Sequence, residues 1–323
     1  MWKKTGFKIF AVTLICVLLS TTFIIPLSAG ANDQSDSVFP AQLPPPPDGF
    51  NPLTASDSQL KTYGFPDRPT DKYSLREWEN MMAHAKYYGK PQQEIRDIRH
   101  DYYDTQNLAG IGVWGGNNVR NGYTPTYTGT SARWVMPNYS PGYSGTTEIA
   151  SYWTGIGGIK GSTYIVQAGA DANLAYLGYS PSYEFWVEDY PNNSIYQAYP
   201  SVTGGNTVYV SISYGGATST AFLMNVSSGQ YTSVVFNTPY YDGTSANYIF
   251  ENLYPTPNFV YDNIPTVHFS NTTLYWHDGS GASGGGEFTA YNYTECRQHN
   301  IWSFVKAYPT NMSNGAFDVI AHD

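Results

Sequence analysis

From Asn107 onward the chain is written in short runs whose apolar and polar residues alternate with period two. Such runs include TYIVQAG (163–169), SYEFWVEDYP (182–191), TVYVSISY (207–214), TAFLMNV (220–226), YTSVVF (231–236), ANYIFENL (246–253) and TVHFSNTTLYW (266–276). They are rich in Tyr, Val, Ile, Phe and Thr, and clusters of Gly, Asn, Ser and Pro separate them. Successive side chains of a strand point to opposite faces, so the pattern predicts many half-buried strands joined by turns. The expected fold is all-β, a jelly roll or sandwich spanning residues 106–323. The glycine-rich stretch GSGASGGGE (279–287) reads as a mobile loop within it.

The texture before residue 106 is different. Residues 32–105 are rich in proline and polar groups, as in AQLPPPPDGFNP (41–52), and predict an extended segment. One amphipathic helix stands out: Ser74 and Glu77 form a capping-box pattern ahead of LREWENMMAHAKYYG, with Trp78, Met81, Met82 and Ala85 on one side and Gly89 and Pro91 closing it. A second short helix is expected over QEIRDIRHDYYD (93–104). The extension reads as a pro-segment, a strap over the sandwich, or a spacer.

Three strands carry unusual polar faces. In YIVQAGAD (164–171), Ile165, Gln167, Gly169 and Asp171 share one face, and Tyr164, Val166, Ala168 and Ala170 share the other. In the next run, Glu184, Trp186, Glu188 and Tyr190 oppose Tyr183, Phe185 and Val187. In the third, Asn247, Ile249 and Glu251 oppose Ala246, Tyr248 and Phe250. A solvated sheet face accounts for such alternation without any function. Large aromatics among the acids point instead to a face that grips an extended polymer.

The N-terminus changes where this chemistry is expected to operate. Lys3, Lys4 and Lys8 precede a long apolar run that ends at Ala29-Gly30-Ala31, the layout of a secretory signal peptide over residues 1–31. The expected location is extracellular, with no membrane attachment after cleavage. Losing three lysines and no acid takes the formal charge from −9 to −12, which disfavours a nucleic-acid partner. Few charges, mostly acidic, suit an acidic exterior. Cys16 leaves with the signal, so Cys296 stands alone and no intrachain disulfide forms.

Other chemistries find little support. There is no H-E-x-x-H or Walker loop, and His84, His100, His268, His277, His299 and His322 lack metal-ligand spacing. No cofactor or metal is expected. Cys296 near His299 offers only a lone thiol. The carboxylates Glu188 and Glu251 leave a two-carboxylate glycoside hydrolase open, as well as a lectin-like binder of peptide or carbohydrate.

Taken in order, Asn107-Leu108-Ala109-Gly110, WVMP (134–137), ASYWTGIGG (150–158), YIVQAGAD (164–171), FWVEDYP (185–191), VTGGNTVYVSI (202–212), ANYIFENL (246–253) and IPTVHFSNTTL (264–274) resemble the glutamic peptidases, or eqolisins. The resemblance covers about residues 106–276. It implies a sandwich of two curved antiparallel sheets, similar to concanavalin A-like lectins and glucanases, and an acid-active endopeptidase acting on protein or peptide as a monomer. The family's catalytic glutamine falls on Gln167 and its catalytic glutamate on Glu251. Trp153, Asp171, Trp186 and Glu188, with Tyr190 beside them, fall on the substrate groove. Gly157 and Asn247 stand where the family commonly has acids. The disulfides of fungal members are missing, so the resemblance is to bacterial-type members.

Overall fold

The computed structural model describes residues 43–89, 93–96, 108–114, 122–124, 126–139, 148–158, 164–174, 180–190, 194–197, 200–238, 241, 243–253, 265–280, 283–287, 294–296, 298–299, 305–311 and 313–321. The expected signal peptide therefore lies outside the described residues. Residues 38–323 group as one compact unit.

Two helices come first, α1 (Asp57–Thr62) and α2 (Lys72–Met82). Strands follow in chain order: β1 (Lys86–Tyr87), β2 (Gln93–Arg96), β3 (Leu108–Trp114), β4 (Thr126–Val135), β5 (Glu148–Gly157), β6 (Ile165–Leu174), β7 (Ser182–Tyr190), β8 (Ser194–Gln197) and β9 (Thr207–Tyr214). Then come β10 (Thr218–Asn225), β11 (Gln230–Asn237), β12 (Ser245–Leu253), β13 (Val267–His277), β14 (Ser283–Glu287), β15 (Thr294–Cys296), β16 (Gln298–His299), β17 (Val305–Pro309) and β18 (Phe317–Ala321).

These strands build two sheets. One has the order β1-β11-β10-β9-β4-β13-β18-β17-β16, with β14 also beside β13. The other runs β15-β3-β12-β5-β6-β7-β8-β2. Among the described pairs only β1 with β11 is parallel. The inward faces meet in one apolar core, to which the second sheet gives Ile111, Tyr152, Val166, Ala168, Phe185, Tyr248 and Phe250 and the first gives Trp134, Val210, Leu223 and Phe269. The expected sandwich is there, and the period-two reading put the correct side chains inward on β6, β7 and β12.

The first sheet also has an apolar outer face. Tyr209, Phe222, Met224 and Tyr231 point away from the sandwich core and pack against Leu60, Phe65, Trp78, Met81 and Met82 of the N-terminal extension. The molecule thus has a third layer over this sheet. Gly64 ends α1 at φ +72°, where a side chain would collide with Leu43 and Ser233 at 2.4 and 2.6 Å.

Several local expectations need correction. The extension carries a helix that was not expected, α1, whose capping box is formed by Ser56 and Gln59. Helix α2 starts a turn earlier than expected, because the Asp71 side chain accepts from the backbone N–H groups of Tyr73 and Ser74 and is the N-cap in place of Ser74. The QEIR segment is strand β2, not helix. Pairing with β8 at the sheet edge outweighs the helical preference of Gln, Glu and Arg. Ser283–Glu287, expected in a mobile loop, is a strand against β13, and its glycines let it close on Tyr275 and Trp276.

Candidate active site

The outer face of the second sheet is the opposite of the first. Its registers across β12, β5, β6 and β7 set the side chains in rows. Glu251, Ser151, Asp171 and Glu184 form one. Ile249, Trp153, Gly169 and Trp186 form the next. Asn247, Gly155, Gln167 and Glu188 form the third, and Gly157, Ile165 and Tyr190 the fourth. All seven residues expected at the site, Trp153, Gln167, Asp171, Trp186, Glu188, Tyr190 and Glu251, therefore share this one face.

The face is not the solvated surface that alternation allows. Gln167, Asp171, Glu188, Trp153 and Trp186 are 0% exposed and Glu251 is 2% exposed; Tyr190, at the end of β7, is half-buried. Burying carboxylates and amides is costly unless hydrogen bonds replace those to water. The Gln167 amide Nε2 donates to Glu188 Oε2 at 3.0 Å, directly across the β6–β7 ladder. The Trp153 indole Nε1 donates to Glu251 Oε2 at 3.0 Å. Asn173 Nδ2 reaches Glu184 Oε1 at 3.3 Å.

Trp153 is the pivot of this arrangement. It lies opposite Ile249 and Gly169, so Glu251 and Gln167 are each its diagonal neighbours, on opposite sides. Diagonal positions in an antiparallel sheet are about 7–8 Å apart at Cα, within reach of long side chains. Glycine makes room for the indole: a Cβ on Gly169 would lie 2.6 Å from the Trp153 Cβ. Gly155, between Asn247 and Gln167, likewise leaves the floor open, since a Cβ there would come within 3.0 Å of the Gln167 Cβ. Glycines inside strands are the sequence signal of such close approach.

The two positions that depart from the acidic pattern meet each other. Gly157 has φ +94°, and its carbonyl accepts from Asn247 Nδ2 at 2.7 Å and from Ser245 Oγ at 2.8 Å. An amide and a hydroxyl on β12 thus tie down the end of β5. Sequence reasoning named Asn247 only as a departure and missed this role, as it missed the indole bond to Glu251, whose partners are 98 positions apart. Ser151, opposite both Glu251 and Asp171, was also missed; no motif marks it.

Among the described residues no three His, Cys, Asp or Glu side chains converge as metal ligands, and no helix is long and apolar enough to cross a membrane. His268 bonds Asp318 at 2.7 Å on β13 and β18 of the first sheet, away from this face. Cys296 lies in β15 at the edge of the second sheet, next to β3, with two strands between it and β5.

The model of the Peptidase A4 family matches residues 112–310. Among solved structures, scytalido-glutamic peptidase with a transition state analog inhibitor superposes with a TM-score of 0.52 at 18% identity, covering 67% of this chain and 98% of that one. The same peptidase with a peptide based transition state analog gives 0.50 at 19% identity, with the same coverage. SCP-B, a member of the Eqolisin family in complex with a tripeptide, gives 0.48 at 17% identity, over 67% of this chain and 98% of its own. No curated protein matches the sequence closely enough to count as a relative. The structural likeness speaks for the fold and the family match for the chemistry: the chain belongs to the Peptidase A4 family, the glutamic peptidases or eqolisins, and is a peptide-bond hydrolase.

Proposed function

We propose that this protein is a secreted, acid-active endopeptidase that cleaves peptide bonds with Glu251, Gln167 and a water molecule. The observation that carries the reading is that the two side chains flank Trp153 on one buried face, Glu251 held by the Trp153 indole and Gln167 by Glu188. The indole N–H holds the Glu251 carboxylate through Oε2 and fixes its orientation. Glu188 accepts from the Gln167 amide and so sets the direction in which its N–H groups point.

In the proposed reaction Glu251, as carboxylate, takes a proton from water while the water oxygen bonds to the scissile carbonyl carbon. The carbonyl π electrons move onto oxygen, and the Gln167 N–H stabilises that oxyanion. Glu251 then gives its proton to the leaving nitrogen as the C–N bond breaks, and the carboxylate is restored. Trp186, Asp171 and Tyr190 would line the path of an extended peptide. The scheme calls for no metal, cofactor or covalent enzyme intermediate. A carboxylate base remains ionised in mild acid, where imidazole is protonated and cannot serve as a base. The expected signal peptide supports an extracellular location and the excess of acids speaks against a nucleic-acid partner; the proposed enzyme acts as a monomer.

The test is digestion of a denatured protein across pH 2–7, with fragments identified by mass spectrometry. Cleavage at internal bonds, strongest in acid and unaffected by chelators or thiol reagents, is the expected result. Cleavage that requires a divalent metal, or none at any pH by well-folded protein, would overturn it.

A further inference from the structure

We infer that residues 43–89 and 93–96 are a permanent third layer and edge strand of the mature peptidase, not part of an inhibitory segment that is removed to activate it. An inhibitory pro-segment must obstruct the site it controls. The described part of this one packs on the outer face of the first sheet, where Leu60, Phe65, Trp78, Met81 and Met82 meet Tyr209, Phe222, Met224 and Tyr231. The candidate site is on the outer face of the other sheet, with the whole sandwich core between them.

The attachment is continuous along the segment. Ser233 Oγ donates to Gly64 O at 2.8 Å, and the Tyr275 hydroxyl donates to Asp67 O at 2.7 Å. Thr70 donates through N and Oγ1 to Gly285 O at 2.7 and 2.9 Å, and its Oγ1 accepts from Gly285 N, so Thr70 closes the free edge of β14. Arg68 lies 5.2 Å over the Trp78 ring, and Glu77 of α2 meets Arg133 of β4 at 3.5 Å. Beyond α2 the chain adds β1 alongside β11.

Among the described residues, the segment meets the other sheet at its edge, away from the site. Strand β2 pairs with β8, and β8 pairs with Phe185, Trp186 and Val187 of β7, next to Glu188. It therefore buttresses the strand that holds Gln167 in place. Removing residues 43–96 would bare four large side chains on one face and open the edges of both sheets, an aggregation hazard. The physical role is support.

Three measurements on the full chain test this. Intact mass of the purified, active protein should show an N-terminus at or before residue 43, and hydrogen exchange should show the amides of Phe65, Lys86 and Tyr88 protected like those of the sandwich. Trp78→Ala should lower Tm by roughly 10 °C, while activity per folded molecule at low temperature stays within about twofold. An active species that begins after residue 96, fast exchange throughout 43–88, or activity that rises when Trp78→Ala loosens the layer would each overturn the inference. Mass and exchange need no turnover, so they hold or fail independently of the proposed chemistry.

Discussion

The two outer faces of this sandwich are built from the same kind of alternating strand and end in opposite chemistry. On the first sheet the outward positions of β9, β10 and β11 are Tyr209, Phe222, Met224 and Tyr231, and a helical layer of the same chain buries them. On the second sheet the outward positions of β5, β6, β7 and β12 are mostly carboxylates, amides, glycines and two tryptophans, equally buried but tied by hydrogen bonds such as Trp153 to Glu251 and Gln167 to Glu188. Period two says only that a strand has two faces; what stands on the outward face decides between shelter and chemistry. Apolar outward residues call for a covering layer. Polar ones held in fixed geometry above glycine have the form of a site.

The contrast is broken most severely at Glu251. Glu251→Gln keeps the shape and an acceptor for the Trp153 indole but removes both the base and the acid, so turnover should fall by about 10⁴-fold or more while the fold survives. Circular dichroism with a fragment assay would show it. Residual activity near that of the unmodified protein would remove Glu251 from the chemistry. Gln167→Ala should cost about 10²–10³-fold in kcat through the lost oxyanion donor. Glu188→Gln tests the next step outward: it can still bond Gln167 but allows the amide to turn, so its expected loss is about tenfold and lies mainly in kcat. Equal losses in the Gln167 and Glu188 variants would give Glu188 a direct part in the reaction.

The faces that carry these predictions were legible in the sequence, because alternation fixed the side of every polar residue on β6, β7 and β12 before any pairing was known. Pairing itself was not legible. That Glu251 meets Trp153 depends on the register of strands 98 positions apart, and that Gln167 meets Glu188 on the register between the consecutive strands β6 and β7, both of which period two leaves open. The third layer was legible in part: Trp78, Met81 and Met82 marked an apolar helix side in need of a partner. The partner was hidden in TAFLMNV, whose continuous apolar run signals burial on both faces, and was read as ordinary alternation. Strand β2 escaped because its residues favour helix and only the edge of β8 makes it a strand.

The apolar outer face gives the next largest effect, on stability. Phe222 points away from the sandwich core, yet it stacks on Tyr231 at 4.7 Å and packs against Phe65 at 5.6 Å. Phe222→Ala should therefore cost about 3–5 kcal/mol, as for a phenylalanine of the central core. Denaturant unfolding would measure it. A cost under about 1 kcal/mol would mean that the helical layer rests loosely on its sheet, and that the two outer faces differ less than their packing shows.

The smallest expected effect lies at the rim of that layer and links it to acid. Asp67, where the layer crosses Tyr275, keeps an exposed edge, yet withdrawal from water raises its carboxyl above the ordinary value; Lys61 opposes the rise and Asp57 adds to it. A carboxyl whose folded value is raised binds its proton more tightly in the folded state. Its contribution is fully present below the unfolded value, about 3.9, and is lost as pH rises through the folded value. Asp67→Asn mimics the protonated form, so its Tm should match that of the unmodified protein near pH 3 and exceed it by a degree or two near pH 7, a small shift because solvent screens the exposed edge. Tm measured for both proteins at the two pH values decides the sign. A gap near pH 7 in the opposite direction, with the unmodified protein the more stable, would mean that Asp67 is held as a carboxylate, and that the layer loosens under the acid conditions in which the opposite face is proposed to work.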